Sequence, residues 1–70
     1  MEINVYNSEK GTWNEMKVIG KYKYISDTEN TDLLKGKIYY RVEPENEFRI
    51  VDDSDEAYLY LSDDFVRIED

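Results

Sequence analysis

The chain has no cysteine and no histidine among its 70 residues, a single proline and only three glycines. The two missing residue types exclude disulfides, Cys/His zinc sites and nucleophilic catalysis that relies on a Cys–His or Ser–His pair. No apolar run approaches the roughly 18 residues of a membrane-spanning helix. Residues 1–10 have neither the basic start nor the apolar stretch of a signal peptide. A cytoplasmic protein with no membrane contact is the default expectation. With disulfides and Cys/His metal sites excluded, so small a domain depends on a well-filled core or on association. Seven tyrosines, two phenylalanines and one tryptophan supply the material for such a core.

Net charge is −8, and it is unevenly placed. Residues 1–40 carry six acids and six bases, whereas residues 41–70 carry eleven acids against Arg41, Arg49 and Arg67. A field of that sign repels phosphate backbones, so direct nucleic-acid binding is disfavoured. It attracts basic partners, and it also keeps a tyrosine-rich surface soluble.

Period-two alternation runs through most of the chain. Ile3 and Val5 alternate with polar neighbours, Asn7–Gly11 is a turn cluster, and Thr12-Trp13 resumes extended character. Residues 1–15 are therefore expected to form a strand or hairpin extension, or to be partly disordered. Trp13 is expected against an open end of the domain. Met16, Val18, Gly20, Tyr22 and Tyr24 share one face of the next strand, with Gly20 marking a bulge or bend. Ser26–Asp32 is a polar surface loop, anchored on return by Leu33 and Leu34, and Gly36 suits a turn with positive φ. Ile38, Tyr40 and Val42 are expected inward, with Tyr39 and Arg41 outward, and Pro44 ends that strand. Phe48 and Ile50 point inward on the next strand. Asp52–Glu56 is a charged hairpin loop, and Leu59 and Leu61 are expected in the core of the strand that follows it. Ser62–Phe65 has the form of a 3₁₀ turn capped by Ser62, which delivers Phe65 to the core. No apolar spacing supports an α-helix of three turns. The expected fold is all-β, with one domain over residues 16–70.

Tyr22-Lys-Tyr24, the polar loop, Thr31-Asp32-Leu33 and Lys35-Gly36 resemble the first strand, RT loop and diverging turn of SH3 domains. The run from Gly36-Lys37-Ile38-Tyr39 through Arg49-Ile50-Val51-Asp52-Asp53 to Tyr58-Leu59-Tyr60 and Phe65 resembles small uncharacterised bacterial and phage proteins with an SH3-like barrel. The resemblance implies a small SH3-like barrel of about five strands. It also implies that Tyr22 and Tyr24 line a peptide groove and that Asp27 and Glu29 sit at acidic loop positions beside it. Glu47-Phe48 stands where SH3 domains carry the groove tryptophan, and Leu61 where they carry a proline. Those departures detach the chain from proline-peptide recognition while leaving the same face available.

The acidic pairs Asp52/Asp53, Asp55/Glu56 and Asp63/Asp64 lie in polar loops, where solvated charge outweighs general acid–base chemistry. An EF-hand reading of the 52–56 loop fails for want of glycine at the sixth position. Neither an enzyme nor a cofactor or metal site is expected. The expected function is a non-enzymatic interaction module that binds a basic protein or peptide segment through a Tyr-rich, acid-edged face. Its contacts would be Tyr22, Tyr24, Asp27, Glu29, Phe48 and Tyr60. The alternative is an acidic inhibitor or immunity-type protein that mimics nucleic-acid charge through Asp52, Asp53, Asp55 and Glu56. A monomer or weak homo-oligomer is compatible with either.

Overall fold

The computed structural model describes residues 1–68, so Glu69 and Asp70 at the end of the expected domain lie outside the described residues. Six strands form a curled antiparallel sheet: β1 (Glu2–Asn7), β2 (Thr12–Tyr24), β3 (Ile38–Val42), β4 (Arg49–Val51), β5 (Ala57–Leu59) and β6 (Phe65–Ile68). The fold is all-β, a half-barrel with one isolated 3₁₀ turn at Ser62–Asp64. No helix among the described residues is long and apolar enough to cross a membrane.

Strand β2 is the spine. Its first half pairs with β1 and its second half with β6, while β3 pairs along the opposite edge. The sheet then continues through β4 to β5. The expected domain boundary at residues 15–16 falls inside this continuous strand. Four residues separate Val18 from Tyr22 on β2, but only three separate their partners Val42 and Tyr39 on β3. That extra residue next to Gly20 is the bulge read from the sequence. It bends β2, so the sheet curls instead of lying flat.

Inside the curl, Tyr24, Leu33, Tyr39, Ile50 and Phe65 form a buried cluster, with Tyr22, Phe48 and Tyr60 packed against it. Ile50 and Val42 have no exposed surface at all. The turn glycines behave as expected, with Gly11 at φ 64° and Gly36 at φ 89°. The Glu43–Pro44 peptide bond is cis.

Several expected orientations are reversed. Tyr39 is buried and Ile38 exposed, because the register sets Tyr39 opposite the inward Tyr22. Tyrosine can occupy that position since its ring fills the core while its hydroxyl reaches a polar partner. Leu59 and Leu61 are exposed, the latter at 73 %, and Tyr60 takes the inward position instead. Leu34 is likewise exposed and leaves the anchoring of the polar loop to Leu33. Trp13 is 58 % exposed and lies against its cross-strand partner Tyr6 at 5.1 Å between ring centroids. Ser62 does not cap the 3₁₀ turn; Leu61 occupies the cap position and has no side-chain acceptor to offer.

Candidate functional site

The register of β2 decides what surrounds the aromatic residues. Tyr22 pairs with Tyr39 on one side and with Arg67 on the other, and Gly20 pairs with Arg41. Gly20, Tyr22 and Tyr24 therefore share the inner face with Arg41, Tyr39, Phe65 and Arg67. Four of the six expected contacts meet there through Phe65. Tyr22 meets Phe48 edge-on at 5.1 Å, Phe48 meets Phe65 at 5.4 Å, and Phe65 reaches Tyr24 at 5.2 Å and Tyr60 at 5.9 Å. These are the spacings of favourable tilted and edge-to-face ring pairs.

Tyr24 is a core residue, not a surface contact. It is buried, and its hydroxyl donates to the Thr28 carbonyl oxygen at 2.9 Å, which fastens the polar loop to the aromatic row. Tyr22, Phe48 and Tyr60 are half-buried and keep exposed surface. Asp27 and Glu29 lie on the exposed loop, and Asp27 is paired with Lys35, which holds its carboxyl below the usual range. Such a pair between exposed side chains contributes little to stability.

At the other end of the row, two arginines enclose Tyr22. Arg41 Nη1 and Arg67 Nη1 each donate to the Tyr22 hydroxyl oxygen at 3.3 Å. The guanidinium carbon of Arg41 lies 5.9 Å from the Tyr22 ring and 5.1 Å from that of Phe48, and Arg67 lies 5.8 Å from Tyr22. These are cation–π distances. Gly20 makes room for the arrangement, since a Cβ there would stand 2.9 Å from Tyr22 Cε1 and 3.3 Å from Arg67 Nη1. The expected face was edged by acids; this end of it is edged by cations. The sequence reading missed both arginines, and their parity with Tyr22 becomes visible only once the pairing is known.

The expected acidic patch divides by role. Asp52 is only 4 % exposed. Its carboxylate accepts from the Ser54 N–H at 2.9 Å, from the Ser54 hydroxyl, and from the Tyr60 hydroxyl at 2.6 Å. It is a buried acceptor that builds the hairpin turn, which corrects its assignment to a surface patch. Asp53 is paired with Lys37 and accepts from the Tyr39 hydroxyl at 3.0 Å, and that hydroxyl accepts from the Leu34 N–H at 2.7 Å. Glu56 accepts from the Ser8 N–H at 3.1 Å and the Tyr58 hydroxyl at 3.0 Å. Asp55 alone of the four makes no side-chain hydrogen bond or ion pair among the described residues, and it holds a positive φ of 67° in the turn. No group of three or more acidic side chains among the described residues is placed to hold a metal ion.

The tyrosine hydroxyls set a dependence on alkaline pH. Burial pushes Tyr60 up, and donation to the Asp52 carboxylate pushes it further. Burial also raises Tyr39, opposed by the Leu34 N–H and Lys37 and assisted by the Asp53 contact. Stability carried by these two groups is complete below the unfolded value of 10.0 and is lost as pH rises through their folded-state values. Tyr22 has the opposite sign. Burial would raise it, but the hydrogen bonds and charges of Arg41 and Arg67 outweigh burial and lower it. Its contribution is present above pH 10 and is lost as pH falls through the lowered folded-state value. The urea midpoint is expected to fall between about pH 10 and about pH 11.5, and Tyr60→Phe should flatten part of that slope. An identical slope in Tyr60→Phe would show that the Tyr60–Asp52 bond carries no such linkage.

No protein-family model, curated protein or solved structure matches the chain.

Proposed function

We propose that this protein is a non-enzymatic interaction module, built on an SH3-like strand order, that binds a polypeptide segment along the row Tyr22–Phe48–Tyr60. The observation that carries this reading is the continuity of the row: the half-exposed rings of Tyr22, Phe48 and Tyr60 are linked by tilted and edge-to-face contacts that run through buried Phe65. Tyrosine and phenylalanine in such a setting offer large contact areas at small entropic cost. The polar loop with Asp27 and Glu29 flanks the Tyr24 end, and two guanidiniums flank the Tyr22 end, so a bound segment would meet opposite charges at its two ends. The charge-mimic alternative is less favoured, since Asp52, Asp53 and Glu56 already serve bonds within the hairpin and its neighbours.

Peptides selected for binding from a random displayed library test the reading. Their titration into ¹⁵N-labelled protein should move the backbone amides of Tyr22, Phe48 and Tyr60 and leave those of Val5 and Trp13 in place. Tyr22→Ala should weaken binding by about tenfold or more, as the loss of a central aromatic contact does. Shifts centred on the N-terminal hairpin, or unchanged affinity in Tyr22→Ala, would place the binding face elsewhere.

A further inference from the structure

The chain has 17 acidic residues, yet neither Arg41 nor Arg67 has a carboxylate within ion-pair distance among the described residues. Both direct a terminal nitrogen at one neutral phenol oxygen. Two like charges converging on one uncharged acceptor repel each other, and ring faces and carbonyl oxygens offset that repulsion without neutralising either charge. An acidic chain with so many carboxylates to offer would ordinarily relieve that repulsion with one of its own.

The two guanidiniums are not equivalent. Arg41 is committed: its Nη2 donates to the carbonyl oxygens of Glu45 at 3.0 Å and Glu47 at 3.2 Å, fixing the turn between β3 and β4. Its Nε is buried and makes no hydrogen bond. Arg67 is exposed, and among the described residues its side chain makes one hydrogen bond, to Tyr22. A guanidinium has five N–H donors in a planar fork that matches a carboxylate. Most of Arg67's fork is therefore open to a ligand. Beside it lies a shallow depression of about 480 Å³ lined by Met1, Val18, Gly20, Lys21, Tyr40 and Ile68.

We propose that Arg67, supported by Arg41 and Tyr22, is a carboxylate-binding site that receives an acidic side chain or terminal carboxylate of the partner polypeptide. The proposal rests on the interaction-module reading above and names the chemistry of the partner at the Tyr22 end. One open guanidinium fork suits a monoanion. A dianionic phosphate would also meet about twice the repulsion from a chain of net charge −8. The partner is accordingly acidic where it meets Tyr22, which reverses the expected preference for a basic segment at this end of the face.

The test uses the full chain labelled with ¹⁵N and three small probes: sodium benzoate, the neutral benzamide and phenyl phosphate. Benzoate should move the Arg67 Nε–H resonance and the Tyr22 ring resonances saturably, and added NaCl should weaken it. Benzamide should bind about tenfold more weakly, the worth of one charge-assisted hydrogen bond. In Arg67→Gln, which keeps a polar side chain of similar reach, benzoate and benzamide should bind within about twofold of each other. Equal binding of benzoate and benzamide to the unmodified protein overturns the anion site but leaves the aromatic face as a binding surface. A preference for benzoate that survives Arg67→Gln overturns the assignment to Arg67. Tighter binding of phenyl phosphate than of benzoate overturns the choice of a carboxylate. No shift from any probe overturns the site, and the Tyr22→Ala peptide measurement then decides the face separately.

Discussion

Ile50→Ala is expected to leave little folded protein at 37 °C. Ile50 has no exposed surface and sits at the centre of the cluster formed by Tyr24, Leu33, Tyr39 and Phe65. Truncating a fully buried isoleucine costs about 2–5 kcal/mol, through lost transfer energy and the cavity left behind. A single core of this size supplies only about 3–5 kcal/mol of net stability, so the loss is comparable to the whole. The side chains around Ile50 belong to four separate segments, and partial collapse onto the cavity would have to move all of them. Ile50→Val, which removes one methylene, should cost only about 0.5–1.5 kcal/mol and remain folded. Urea titration followed by far-UV circular dichroism separates these outcomes. A midpoint for Ile50→Ala close to that of the unmodified protein would mean that the half-barrel draws its stability from elsewhere.

Asp52→Ala is expected to be nearly as damaging, for a different reason. It removes the acceptor of the Ser54 N–H, the Ser54 hydroxyl and the Tyr60 hydroxyl at once. A buried donor left without a partner costs about 1–3 kcal/mol, and Tyr60 would bring its hydroxyl into that state beside the core. The Asp52 backbone also closes the turn: its N–H donates to the Glu56 carbonyl oxygen and its carbonyl accepts from the Asp55 N–H, at 3.1 Å each. Asp52→Asn keeps an oxygen for the Ser54 N–H and an amide that can donate to the Tyr60 oxygen, so it should recover most of the loss. The comparison of Ala with Asn, read as urea midpoints, isolates the hydrogen bonds from the charge. Equal destabilisation by the two would assign the effect to the negative charge alone.

Much of the scaffold was legible because it depends on local chemistry. Alternation in Met16–Tyr24, the turn residues at Asn7–Gly11, Gly36 and Pro44, and the delivery of Phe65 after Ser62–Asp64 all act over a few neighbours. The reversed positions share one cause. In Ile38–Val42 and Ala57–Leu61 both parities carry bulky residues, so hydrophobicity alone does not choose a face. The choice was made by pairing: Tyr39 opposite Tyr22, and Tyr60 donating to Asp52 over the core. The candidate site divides along the same line. Tyr22, Phe48 and Tyr60 stand out by residue type, whereas Arg41 and Arg67 reach Tyr22 only through the pairing of strands that lie far apart in the sequence. Asp52 sits in a run of acids that gives no sign which one is buried.

The layout of β2's outer edge has a practical outcome for engineering the chain. β1 and β6 run along that edge end to end: Glu2 pairs with Lys17, the Met1 carbonyl accepts from the Val18 N–H, and Ile68 pairs with Lys21. Only three residues of β2, about 10 Å of extended chain, separate the anchor points of Met1 and Ile68. A segment bridging Ile68 to Met1 would make β6 and β1 one nearly continuous strand along β2. Met1, Gly20, Arg67 and Ile68 accordingly share one depression on the surface. A tag preceding Met1 and intended for binding measurements therefore belongs on a long spacer that keeps it clear of Arg67.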